Sequence, residues 1–182
     1  MTIQANTLAL GTFVPMLRAL SHCLDKGGER AAAAGPGPQG LLAARLAPDM
    51  FDLTSQVQFA CIHATDALAQ LTGLPPTPHP AGEKSVEDLK ALIARTVGVL
   101  EAAPAEAFAE AEARDIRIPL DEQMEFRFTG ERFLRDWALP HFYFHLVTAY
   151  DILRTQGVDV GKRDYLSQIG DAIRPRTPAL AP

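Results

Sequence analysis

The chain has 182 residues and a net charge of −5, which suits one domain of ordinary size. Its mildly acidic balance excludes the clustered Lys and Arg of a phosphate-backbone binder, so no nucleic-acid partner is expected. Unbroken apolar runs fall far short of the roughly 20 residues of a membrane span. Met1-Thr2-Ile3-Gln4 opens without the basic start of a secretory leader, so the expectation is a cytoplasmic protein with no membrane partner.

The first helix is predicted over about Ile3 to Lys26. Leu10, Phe13, Leu17, Leu20 and Leu24 recur at three- and four-residue spacing and make one apolar stripe. Pro15 interrupts the pattern and should kink it. Gly27-Gly28 weakens it, although Glu29-Arg-Ala-Ala-Ala-Ala34 can carry the helix on to Gly35. Pro36 and Pro38 mark a loop, and a short turn from Gln39 to Leu46 follows. Pro48 and Asp49 then start the second long helix, with Met50, Leu53, Val57, Cys61, Ala64 and Leu68 on one face and Gly73 at the end. A proline-rich loop holding Pro75, Pro76, Pro78, His79 and Pro80 separates it from the third helix. Ser85, with Asp88 three residues on, caps that helix. Its core face is Val86, Leu89, Ile93, Val97 and Leu100, and Pro104 closes it.

The period changes at residues 115–128. Ile116, Ile118 and Leu120 alternate with polar residues, as do Met124, Phe126 and Phe128, with Asp121-Glu122 between them. This pattern predicts a two-stranded hairpin whose apolar face covers helices. Thr129 caps a short helix from Gly130 to Leu139, Pro140 opens the last long helix from His141 to Thr155, and Gly157 ends it. Gly161 to Ile169 suits a short terminal helix. The organisation is one helical domain over 1–172 and a Pro-rich tail over 173–182.

Cys23 and Cys61 lie in apolar helical patterns, 38 residues apart, with no CxxC spacing. They read as small buried hydrophobes in a reducing compartment, not as a disulfide. No glycine-rich phosphate loop and no GxSxG is present, and the few serines sit in helical contexts.

His141 and His145 carry the one spacing with chemistry in it. Four residues apart on a helix, their imidazoles share a face about one turn apart, the geometry two metal ligands of one helix require. Phe142 follows His141, so this is not HExxH and brings no general base. The same pair also suits the polar edge of an aromatic cluster, since eight of the chain's 13 aromatics fall between residues 126 and 150. A metal site needs a further ligand from another helix, and the candidates are Asp49, Asp52, Gln56 and His63. Asp52 and Gln56 share a face. His63 reads as a packing histidine at the edge of the core, as does His22, while His79 reads as solvated. Trp137, Tyr143, Tyr150 and His63 are the expected lining of a pocket beside the pair. If no metal is bound, that aromatic region suits a non-catalytic bundle holding a small apolar ligand or a partner.

Leu46-Ala-Pro-Asp-Met-Phe51 with Gln56-Val-Gln58, Phe142-Tyr-Phe-His145 with Thr148-Ala-Tyr150, Ile152-Leu-Arg154 before Gly157, and Gly161-Lys-Arg-Asp-Tyr-Leu166 form a recognisable set. On these blocks the chain, from about Asn6 to Leu166, resembles a bacterial family of unknown function among the DinB/YfiT-like putative metalloenzymes. The resemblance implies a mainly α fold, a DinB-like four-helix bundle with a small β-hairpin before the last helices, often as a homodimer. It implies a nickel or zinc ion held by one histidine of the second helix and two, four apart, of the last. It also implies chemistry that is thiol-linked in some members. His141 and His145 match the last-helix pair. The N-terminal half of the second helix holds Asp52 and Gln56 where the pattern has histidine, with His63 further along.

Overall fold

The computed structural model describes residues 4–33, 37–80 and 82–174. Four long helices form the bundle: α1 (Ala5–Ala33), α3 (Leu53–Thr72), α4 (Val86–Glu101) and α6 (Leu139–Thr155). The short helix α2 (Gly37–Leu42) precedes α3, and α7 (Lys162–Tyr165) follows α6. A two-stranded antiparallel hairpin, β1 (Asp115–Pro119) and β2 (Glu125–Thr129), leads into the short helix α5 (Gly130–Phe133). Most of the expected tail, 175–182, lies outside the described residues.

The apolar stripes account for the packing. Phe13, Leu17, Leu20 and Leu24 of α1, Leu53, Val57, Cys61 and Ala64 of α3, Leu89, Ile93 and Leu100 of α4, and Phe142, Leu146, Ala149 and Leu153 of α6 are all buried in one core. Both cysteines are buried and free, and burial pushes the Cys61 thiol up to about 12. By length and composition alone α1 is apolar enough to cross a membrane, yet half of its most apolar window is buried in the bundle. Arg18, Asp25 and Lys26 break its apolar sequence into short runs.

Several boundaries move, each for a local reason. α1 starts at Ala5 and continues through Gly27-Gly28. A Cβ on Gly27 would stand 2.9 Å from a Leu153 methyl, so this glycine is where α1 and α6 approach closely. α3 starts at Leu53, not at Pro48, because Asp52 is its N-cap and accepts a hydrogen bond from the Ser55 amide at 2.9 Å. Gly73 ends it at φ 75°. Ser85 caps α4 through the Asp88 amide, while the Asp88 carboxylate reaches the Lys84 amide. Pro140 does not open a separate helix. Residues 134–138 form a π-helical turn, with the Leu139 amide bonded back to the Leu134 carbonyl, and this turn joins α5 to α6 without a break.

The hairpin register pairs Ile116 with Phe128 and Ile118 with Phe126. Its base is anchored by buried Ile116. Its tip is open, with Leu120 56% and Met124 58% exposed. The Asp121 carboxylate closes the turn by accepting from the Gln123 and Met124 amides. The hairpin thus stands beside α3 and the π turn, next to the histidines.

Candidate functional site

α3 and α6 pack along their length and hold the site between them. Gln56, Phe59 and His63 lie at i, i+3 and i+7 of α3 and form one stripe. His141 and His145 form the facing stripe of α6. Gln56 meets His145 and His63 meets His141, so the two stripes run in opposite directions.

His63 therefore arrives beside both histidines of α6. Its ring centroid lies 5.0 Å from that of His141 and 5.2 Å from that of His145. Phe59 packs on His145 at 4.9 Å, and Trp137 packs on His141 at 4.4 Å. Phe126 and Phe128 of the hairpin pack in turn on Trp137. The aromatic cluster and the histidines are one assembly.

Hydrogen bonds fix two of the imidazoles. His141 Nδ1 lies 2.8 Å from the Trp137 carbonyl oxygen, and His145 Nδ1 lies 2.7 Å from Gln56 Oε1. Both partners only accept, so both Nδ1 atoms carry a proton, and Nε2 is the nitrogen that each ring can offer to an ion. The Gln56 amide is itself oriented, since its Nε2 donates to the Phe51 carbonyl at 3.3 Å. Burial pushes His63 and His145 down to about 4, and the neighbouring imidazoles push the same way. Near neutral pH these two rings are uncharged.

The other expected site residues are placed elsewhere. Both Asp52 oxygens are engaged, one by the Ser55 amide and one by Arg45 at 3.2 Å, so this carboxylate caps α3. Asp49 is exposed in the preceding turn. Tyr143 packs edge-on to Phe142, and Tyr150 packs against Tyr165 with its hydroxyl toward the Val160 carbonyl. At 100° per residue neither tyrosine shares a helix face with His141 and His145, so both fall outside the histidine cluster. His79 is half-buried with Nε2 2.7 Å from Thr65 Oγ1, not solvated. His22 is exposed and meets Asp164 at 3.0 Å, bridging α1 to α7.

The donor chemistry suits a borderline divalent ion such as nickel or zinc, because three imidazoles come together with two Nδ1–H groups held by carbonyl oxygens. As the side chains stand, no three His, Cys, Asp or Glu among the described residues are placed to hold an ion. Two hollows flank the cluster. One of about 380 Å³ is bounded by Pro140, His141, Phe144 and His145, and the other, of about 340 Å³, opens between His63, Trp137 and the hairpin.

Comparison with known proteins places this geometry in a family. Residues 7–166 match DUF1993, a domain of unknown function. The structure is similar to the crystal structure of a DinB family member protein from Shewanella denitrificans at 1.83 Å resolution. The two are 35% identical with a TM-score of 0.81, over 97% of this chain and 95% of that one. No curated protein matches. The chain thus belongs to the DUF1993 family of unknown function and has the DinB fold.

Proposed function

We propose that the chain is a metal-dependent enzyme in which His63, His141 and His145 hold a nickel or zinc ion. The observation that carries this reading is the meeting of three imidazoles from α3 and α6, two of them with Nδ1–H committed to carbonyl oxygens. Binding an ion would draw the rings together from their present spacing. The ion would supply Lewis-acid activation of a water or thiol, in a hydrolysis or thiol-linked transfer. Gln56 and the Trp137 carbonyl orient two of the ligands, and Phe59 and Trp137 exclude water from their flanks. Asp52 is not a ligand in this reading, and Gln56 acts through His145.

Elemental analysis of protein purified without a His-tag tests the proposal. One equivalent of nickel or zinc is expected in the unaltered chain, with loss in His63→Ala, His141→Ala and His145→Ala. Substoichiometric metal that is unchanged in His145→Ala overturns it.

Exposed apolar side chains favour a second reading. Phe51 and Phe144 are 53% and 58% exposed, and Phe144 packs edge-on to His145. Such a rim suits a non-catalytic bundle that binds a small apolar ligand, or a homodimer that buries it. A monomer by light scattering at micromolar concentration, with no saturable uptake of an apolar dye, counts against this reading.

A further inference from the structure

Phe59, which packs on His145, also walls a separate hollow of about 240 Å³ between α3, α4 and the loop that joins them. Three of its side chains are polar: Gln58 of α3, and His79 and Glu83 of the loop. Glu83 is its charged group, and the Glu83 side chain is only 6% exposed. A carboxylate has about four lone-pair positions to fill. Oε2 accepts from the Gln58 amide at 2.6 Å. Oε1 accepts no hydrogen bond among the described residues. Arg95 Nη2 stands 3.7 Å from it, past hydrogen-bond reach, on a side chain that is 61% exposed. A solvated guanidinium at that distance is screened and supplies charge without a bond. A carboxylate turned away from water needs a bonded partner.

The other polar side chains of the hollow offer acceptors too. Gln58 commits its Nε2 to Glu83, which leaves its Oε1. Burial lowers the His79 pKa, so this ring is neutral near pH 7. The Thr65 hydroxyl donates to the Cys61 and Ile62 carbonyls at 3.2 and 3.0 Å. His79 Nε2, 2.7 Å from that hydroxyl oxygen, is therefore the donor to it, and Nδ1 is the acceptor nitrogen. Neither Gln58 Oε1 nor His79 Nδ1 makes a hydrogen bond among the described residues. The remaining walls, Phe59, Ile62, Pro80 and Leu92, are apolar. We propose that this hollow binds a small primary ammonium ion with an apolar body, its N–H donors going to Glu83, beside Gln58 and His79, and its hydrocarbon to the apolar walls. Water meets the acceptors but gains nothing from the apolar walls. A neutral alcohol fills the walls with one donor and no charge. An ammonium brings three donors and the opposite charge. The volume lies below that of a drug-sized pocket, which limits the body to one ring or a short chain. This site is independent of the metal reading.

The experiment titrates benzylamine, benzyl alcohol and benzyltrimethylammonium into EDTA-treated protein, followed by calorimetry and by amide chemical shifts. The three share a ring. The first has donors and charge, the second one donor without charge, and the third charge without a donor. EDTA removes any ion at the histidines, so an amine bound to a metal is not counted. Benzylamine is expected to bind saturably in the millimolar range, and the other two at least about tenfold more weakly. Glu83→Gln keeps the bulk and an acceptor for the Gln58 amide, and should weaken benzylamine by about tenfold. Ile62→Phe narrows the hollow and leaves the carboxylate in place, and should weaken it as much. Asp66→Asn removes an exposed charge of α3 outside the hollow and should leave binding unchanged. The proposal is overturned if benzylamine does not saturate, if either comparator binds equally well, or if Glu83→Gln or Ile62→Phe is without effect. It is also overturned if Asp66→Asn weakens binding as much as Glu83→Gln, which would make the attraction one of general charge. Because the protein is metal-free, failure here leaves the histidine reading standing, and loss of that reading leaves this site standing.

Discussion

His145 Nδ1 donates to Gln56 Oε1 at 2.7 Å, across the α3–α6 contact and almost out of reach of water, with Gln56 1% and His145 8% exposed. Because the Gln56 amide also donates to the Phe51 carbonyl, it cannot flip without losing both bonds. The pair sets the His145 tautomer and hence which ring nitrogen would face an ion in the proposed metal site. Gln56→Leu keeps the bulk and removes the acceptor. We expect metal affinity to fall by about 10- to 100-fold and stability by about 1–3 kcal/mol, from a buried N–H left unpaired. Competition with a chromophoric chelator and urea unfolding measure the two.

Asp52 gives the contrasting case. Its carboxylate caps α3 and meets Arg45, so Asp52→Ala should cost about 0.5–2 kcal/mol and leave metal content at the unaltered level. Loss of metal in this variant, with the fold intact by circular dichroism, would restore Asp52 as a ligand.

These two residues show how far the sequence could be read. The helices, their capping residues and the hairpin follow from periods of 3.6 and 2 with Ser85, Thr129 and Gly73 as punctuation, and all are local signals. The His141–His145 spacing is local as well. His63 stands among the candidate ligands but reads from spacing alone as a packing histidine, because its place beside the pair depends on how α3 crosses α6. The opposed stripes carry each step along α3 back along α6, so a histidine two turns beyond Gln56 reaches the pair, while Asp52, one turn before Gln56, is spent on the cap. The tautomers are tertiary facts with no trace in spacing.

Gly130 is a second tertiary constraint. Its φ lies outside the left-handed region, so any residue could adopt its backbone. Yet a Cβ there would lie 1.7 Å from the Ala111 carbonyl oxygen, where the chain before the hairpin crosses the start of α5. The Glu131 amide bonds to the Glu112 carbonyl at the same crossing. Backbone cannot yield as a side chain does, so Gly130→Ala should cost about 3 kcal/mol or more. Gly27→Ala should cost less, because the obstacle is a Leu153 methyl that can turn aside. Thermal unfolding of the two variants side by side tests the ranking, and equal losses would contradict it.

The two depressed histidines predict a pH dependence with a definite sign. His63 and His145 titrate at about 4 in the folded chain against 6.5 as the ordinary value. Between those values the unfolded chain takes up protons that the folded chain refuses, so stability rises with pH there. The contribution is fully present above about pH 6.5 and is lost as pH falls toward 4. The Tm of metal-free protein should therefore be flat from pH 8 to 7 and fall steadily from 6.5 to 4.5. Replacing both residues with Gln should flatten that slope even if the Tm at pH 7 drops, because no imidazole remains to be charged. An unchanged slope in the double variant would assign the acid loss to other groups and would mean that the cluster is not held neutral by burial.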